Sequence, residues 1–400
     1  MSIFEDYLST SETVAVFGGT SVVAAMLRFE AALAQAQAEE GLVPAPAARS
    51  IIDTCKVELF DVGKIVRESG RAGSVAIPLL KALREAVGLF NPDAVAFTHH
   101  GSTSQDVIDT ALALVTRDAL ALVEADLDAA IRALLALAAR HADTPILART
   151  LMQPASVTSF GLKCVDWAAP LLRARTRLRA AAAQALQLQL GGGVGTLAQM
   201  QAGADAARIA AVRARMAAAL GLRDGGAAWH TQRDEWVALG CALGLLAGSL
   251  GKLAADLALL GQHEVGEVME PAEPGRGSSS VMPHKRNPVA AMVALAAAQR
   301  APQRVAGLLA AMVQQHERAL GGWQAELAEW PALWMAVHGS VRALAVALPG
   351  LRVDAARMQA NIGRAREGLA PEVAREWFAP GLAAAAGTLA RQRLAALASL

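Results

Sequence analysis

The chain has 400 residues, and 37 Lys+Arg against 36 Asp+Glu leave a formal net charge of +1, which excludes a polyanion-binding surface as its main business. Hydrophobic residues make up 54% and charged residues 18%; this excludes a disordered chain and gives enough material to bury the cores of two or three domains. Its cysteines, Cys55, Cys164 and Cys241, are far apart, a usage that fits a reduced cytoplasmic protein better than a disulfide scaffold or a zinc ribbon.

In chain order, the opening MSIFEDYLST is acidic and lacks a basic-then-apolar leader, so no export signal is expected. Met26, Phe29 and Leu33 recur at helical spacing and then meet Gly41 and Pro44, a plausible stop. Between Val107 and His141, Leu120, Val123, Leu127, Ile131 and Leu134 keep one apolar stripe, with Arg117, Asp118, Asp128 and Arg132 off it. A helix over that span is a rod of roughly 50 Å, closed by Pro145. Comparable stretches at about 155–190, 231–266 and 288–318, the last continuing with interruptions toward 345, predict further long helices that need partner helices.

Trp236–Leu260 is apolar nearly all round, but its uncharged run from Trp236 to Gly251 is short for a bilayer span and ends at Lys252. Burial on every side within an assembly is expected, and no membrane partner. Strand signals are nearly absent: there is one tyrosine, and β-branched runs are few. The predicted class is all-α, built on a central bundle of long helices.

Several segments are candidates for chemistry. Thr98-His99-His100-Gly101-Ser102-Thr103-Ser104-Gln105-Asp106 leads straight into the first long helix. Its hydroxyls and free backbone N–H groups either cap that helix or bind a carboxylate, and the paired histidines favour an anion site. Ala148-Arg149-Thr150-Leu151-Met152-Gln153 reads by itself as the polar entrance to another helix. Gly191–Gly195 reads as a plain helix break, since no Lys-Ser/Thr follows to make it a phosphate cradle.

The stretch from Glu270 to Pro288 contains Pro271, Pro274, Pro283 and Pro288 with three consecutive serines, too long and too rich in Met, His, Lys and Asn for a linker. It is expected to be a functional loop. Lys285 and the helix start at Pro288 could face one anionic group together. His263-Glu264-Val265-Gly266-Glu267 has a glutamate where a zinc site needs its second histidine, and no other spacing suggests a metal. Trp323, Trp330 and Trp334, at near-helical spacing, are expected in the core or an interface.

Ser279-Ser280-Val281-Met282-Pro283-His284-Lys285-Arg286-Asn287-Pro288 resembles the signature loop of the fumarase/aspartase superfamily. Thr103-Ser104-Gln105-Asp106 and Arg149-Thr150-x-x-Gln153 resemble its other two blocks, in the same order, and the likeness covers roughly residues 1–345. Three stretches (Trp229–Asp234, Glu264–Val268 and His316–Gln324) are most similar to a lactonising branch of that superfamily and less so to adenylosuccinate-type lyases. The resemblance implies three helical parts, at 1–95, 96–345 and 346–400. It also implies a homotetramer with each site shared by three chains, a carboxylated small-molecule substrate, and no cofactor, metal or nucleic acid.

The same resemblance assigns residues. Ser279 would exchange the proton, and Lys285 and Asn287 would hold the carboxylate that becomes enolate-like. Thr103, Ser104, Gln153 and Arg318 would bind the other carboxylates, with His99, Thr150, Gln232 and Ser280 alongside. Many family lyases carry a histidine where this chain has Leu151 and a glutamate where it has Met292. Losing both members of a polar pair is far cheaper than losing one. A carboxylate leaving group needs no proton, so lactonisation is the expected reaction. The alternatives are a fumarate-releasing lyase or a non-catalytic relative, since the sequence after about Asn361 departs from the family pattern.

Overall fold

The computed structural model describes residues 3–201 and 205–397. Short helices α1 (Ile3–Asp6) and α2 (Ser11–Val16) precede α3 (Gly19–Glu39), and Met26, Phe29 and Leu33 are buried on the inner face of α3 as their spacing requires. Next come α4 (Ala45–Thr54), α5 (Val62–Ala72) and α6 (Ala76–Phe90), which with α3 form the N-terminal helical part.

The first long rod is α7 (Ser104–Arg140), 37 residues and ~55 Å long. Its expected stripe from Leu120 to Leu134 faces inward. Its first three turns behave differently: Gln105 through Thr116 are all buried. That stretch includes Asp106, Asp109, Thr110 and Thr116, so this end of the rod must satisfy its polar groups internally.

A β-hairpin follows and corrects the sequence reading. Strand β1 (Pro145–Thr150) pairs antiparallel with β2 (Gln153–Ser159) where the entrance to a helix was expected, and α8 begins only at Phe160 (Phe160–Ala185). Ile146, Val157 and Thr158 supply the β-branched residues. The two-residue turn is made by Leu151 and Met152 at φ 49° and 66°. Neither residue type advertises a left-handed turn, which is why the hairpin was not legible.

After α9 (Ala198–Gln201) and α10 (Ala206–Leu220) come α11 (Asp234–Gly261), α12 (Val289–Ala311) and α13 (Gly322–Ala347). These pack with α7 and α8 as a bundle. Helix α12 stops at Ala311, short of the expected 318, and a loop with His316 in the left-handed region leads into α13. Helices α11 and α13 are long and apolar enough to cross a membrane, but 61% and 67% of their most apolar windows are buried inside the protein. They are core elements of the bundle. Trp236 and Trp330 stack at 4.0 Å at the centre, flanked by Trp229 and Trp334.

At the end of the chain, β3 (Val268–Met269) pairs with β4 (Arg352–Val353), and α14 (Ala355–Arg366), α15 (Pro371–Trp377) and α16 (Pro380–Leu397) close the fold. A second small core of Leu147, Val157, Ile362, Phe378 and Ala383 fastens these last helices to the hairpin. The all-α class stands, with the hairpin as a projecting arm.

Candidate active site

The turn before α7 is pinned from several sides. His99 has φ 65°, and Gly101 has φ 73° with Met200 so close that a Cβ would lie 2.4 Å from its Cγ. Glycine is therefore required there. Thr103 is the N-cap of α7, and its backbone N–H donates to Asp106 Oδ2 at 3.1 Å. Arg318, arriving from the α12–α13 loop, donates from Nη1 to Thr103 Oγ1 (2.7 Å), from Nη2 to Ser104 Oγ (3.0 Å) and from Nε to Gln105 Oε1 (3.3 Å). Capping and anion binding were alternatives in the sequence; Thr103 caps the helix, and Arg318 ties its hydroxyl to Ser104 and Gln105. A guanidinium held at the positive end of a long helix attracts a carboxylate.

Beneath this cluster the glycine segment has a use that the sequence did not reveal. Asp106 Oδ1 accepts from Gly191 N (2.9 Å) and lies 2.7 Å from His230 Nε2, while Oδ2 accepts from Gly192 N (2.8 Å). The break is an anion nest filled by the protein's own carboxylate.

One turn further along, Arg233 donates to Asp109 Oδ2 (2.8 Å) and Glu326 Oε2 (3.1 Å), with all three side chains buried. Trp323 Nε1 donates to Asp109 Oδ1 at 2.9 Å. Burial works against the Arg233 charge, but the two carboxylates overcome it and raise its pKa. Burial pushes the Glu326 carboxyl upward. Gln105 Nε2 donates to Asp109 Oδ2 (3.3 Å) and to the His230 carbonyl (2.9 Å), linking this network to Arg318. Gln232 is exposed between buried His230 and Arg233.

The hairpin carries Thr150 and Gln153 outward, both exposed, on either side of a tip where Leu151 is 96% and Met152 is 69% exposed. Arg149 points the other way. It grips buried Glu267 with two bonds of 3.0 and 2.9 Å, and Asn361 Nδ2 donates to the same carboxylate at 2.6 Å. Arg149 thus anchors the arm to the C-terminal helices.

The signature loop is self-contained. Ser279 Oγ accepts from the backbone N–H groups of Met282 (3.0 Å) and Val281 (3.3 Å). Asn287 N donates to Gly277 O at 2.8 Å, and Gly277 has φ 68° with Asn287 O only 2.5 Å from where a Cβ would lie. Ser280 and Lys285 are exposed, while Ser279 and Asn287 are half-buried.

The helix start after Pro288 does not serve as an anion site with Lys285. Glu270 already occupies it, accepting from Ala290 N and Ala291 N at 2.9 Å each. That cap comes from across the loop, so the local sequence did not announce it.

Among the described residues, no hydrogen bond joins the loop or the hairpin tip to Thr103, Ser104 or Arg318. A groove of about 610 Å³ between α8 and α11, lined by Trp167, Gly244, Gly248, Lys252 and others, contains none of the expected site residues.

The lyase family model matches residues 5–302. The chain belongs to that family, in the fumarase/aspartase superfamily. Within it, the chain is 46% identical over 361 residues to a 3-carboxy-cis,cis-muconate cycloisomerase of Pseudomonas aeruginosa, covering 90% of this chain and 78% of the relative. It is 43% identical over 360 residues to the enzyme of that name from Pseudomonas putida, covering 90% and 84%. The crystal structure of the 3-carboxy-cis,cis-muconate lactonizing enzyme from Pseudomonas putida superposes with a TM-score of 0.90, at 36% identity and 99% coverage of both chains.

For this member of the superfamily the structure unites Thr103, Ser104 and Arg318 and places His99 in the same turn. It leaves Thr150, Gln153, Ser279, Ser280, Lys285 and Asn287 on two separate projections, with Gln232 apart from both. Gln105 and Asp106 lay inside a block quoted from the sequence, but neither they nor Glu270 were given a role there. Asp106 could have been: it follows Thr103 by three residues, the spacing of a capping box.

Proposed function

We propose that the chain is a 3-carboxy-cis,cis-muconate cycloisomerase, closing a carboxylated conjugated diene to 4-carboxymuconolactone. The observation that carries this reading is the likeness to enzymes of that name over nine-tenths of the chain, together with apolar Leu151 and Met292 where related lyases place a polar pair. A lyase that expels an amine or hydroxide benefits from a general acid. An enzyme whose nucleophile, and reverse leaving group, is a carboxylate does not need one.

In the lactonising direction, a substrate carboxylate oxygen forms the new C–O bond, and the displaced electron pair moves to the carbon α to another carboxylate. Ser279 Oγ–H delivers its proton to that carbon. The alkoxide left behind is stabilised by the N–H groups of Val281 and Met282 that already point at this oxygen, an arrangement of the oxyanion-hole type. It regains its proton from solvent, so atoms balance without a co-reactant. Lys285 and Asn287 hold the carboxylate that becomes enolate-like. Thr103, Ser104, Arg318 and His99 bind the remaining anionic groups, helped by Thr150, Gln153, Gln232 and Ser280.

The separation of the clusters within one chain supports shared sites in a homotetramer. So do the exposed apolar side chains of Leu245 and Leu259 on α11 and of Leu151 and Met152 at the hairpin tip. The division at 1–95, 96–345 and 346–400 and a cytoplasmic location belong to the same reading.

Loss of diene absorbance on adding 3-carboxy-cis,cis-muconate tests it, with adenylosuccinate offered in parallel. The expected outcome is turnover of the muconate alone, and Ser279→Ala lowering kcat about 10²–10⁴-fold with assembly and Tm unchanged. Turnover of adenylosuccinate alone contradicts the reading.

A further inference from the structure

Glu30 lies in the middle of α3, fully buried, in no motif of the site. Its Oε1 is 2.7 Å from His99 Nδ1, and its Oε2 is buried with no hydrogen-bond partner. Two turns later on the same helix, Gln37 Nε2 donates to the His100 carbonyl at 2.9 Å. Helix α3 therefore grips the turn before α7 at a side chain and at the backbone next to it.

Both members of the Glu30–His99 pair are poor choices for stability. A carboxylate with an unpaired buried oxygen is costly. A histidine at φ 65° occupies the left-handed region that glycine enters without steric cost. Two local costs converge on one imidazole, four residues before Thr103, whose hydroxyl Arg318 holds. Such costs persist where a group's orientation matters.

We propose that Glu30 is a positioning residue for the reaction. By accepting from Nδ1–H it fixes the ring plane and the tautomer of His99. Nε2 is then the nitrogen left to face the substrate. The proposal rests on reading His99 as a substrate-binding residue. Its logic is that of the carboxylates that orient ligating histidines from behind, whose loss typically costs about 10–100-fold in affinity or activity.

Glu30→Leu, Glu30→Gln and His99→Asn are compared with the intact chain for kcat, KM, Tm and the 15N shifts of the His99 ring. Glu30→Leu removes the acceptor without leaving a charge. It is expected to raise KM at least about tenfold and to change kcat less than about threefold. Its Tm is expected to stay within about 3 °C, and its ring shifts to report a mixture of tautomers. Glu30→Gln keeps an acceptor and is expected to restore KM to within about threefold of the intact enzyme.

A wild-type KM in Glu30→Leu, beside an impaired His99→Asn, overturns the role of Glu30 and leaves that of His99 standing. A wild-type KM in His99→Asn, a variant suited to the left-handed backbone, overturns the reading of His99 and the proposal with it. A large fall in Tm with KM unchanged identifies Glu30 as merely structural.

Discussion

The two halves of the candidate site are built on opposite principles. The end of α7 is wired before any substrate arrives: Arg318 spans Thr103, Ser104 and Gln105, and Asp106 fills the glycine nest beneath them. Among the described residues, the signature loop and the hairpin tip make no hydrogen bond to Thr103, Ser104 or Arg318, and they expose Lys285, Ser280, Thr150 and Gln153. The wired half has the geometry of a rigid anion holder. The loose half leaves its polar side chains open to solvent, where the proposed shared site would use them. Preorganisation suits groups that bind charge throughout the reaction, and mobility suits a proton donor that must first exclude water.

The largest effect expected in the wired half is on binding and catalysis. Arg318→Met keeps the length of the side chain but removes the guanidinium. It should lower kcat/KM by about 10²–10³-fold, the value of a charge-assisted carboxylate contact of about 3–4 kcal/mol. Steady-state assays measure this, and an effect under threefold would mean that Arg318 only ties the loop down.

An effect of similar size, but on stability, is expected for Asp106→Ala. Three backbone N–H groups (Thr103, Gly191 and Gly192), the Ser102 hydroxyl and His230 lose their acceptor at once, which should cost about 3–5 kcal/mol. Denaturant unfolding measures it. A loss below about 1 kcal/mol would show the nest to be satisfied in some other way and the two halves to be less unlike than they look.

The parts of this molecule that could be read from sequence are those set by local periodicity or by a motif. The α7 stripe, the tryptophan core and the serine loop are of that kind. The hairpin escaped because Leu151 and Met152 take a left-handed turn that neither residue type favours, held by tertiary contacts such as Arg149–Glu267–Asn361. The cap of α12 escaped because Glu270 reaches it from the far side of the loop. Glu30 escaped because a lone acid in an apolar helix carries no spacing signal, and only its distance from His99 gives it meaning.

The contrast between the halves is tested most directly by mixing two inactive proteins. Ser279→Ala lacks the proton donor of the loop, and Arg318→Met lacks the anion holder at the end of α7. If each site takes its loop from one chain and its α7 end from another, unfolding the two together and refolding them should regenerate some sites with both groups intact. The expected result is activity on the order of a tenth to a quarter of the unmutated enzyme, with neither variant active when refolded alone. A refolded mixture of full assembly and no activity would contradict the account, because it would require both groups to act from the same chain.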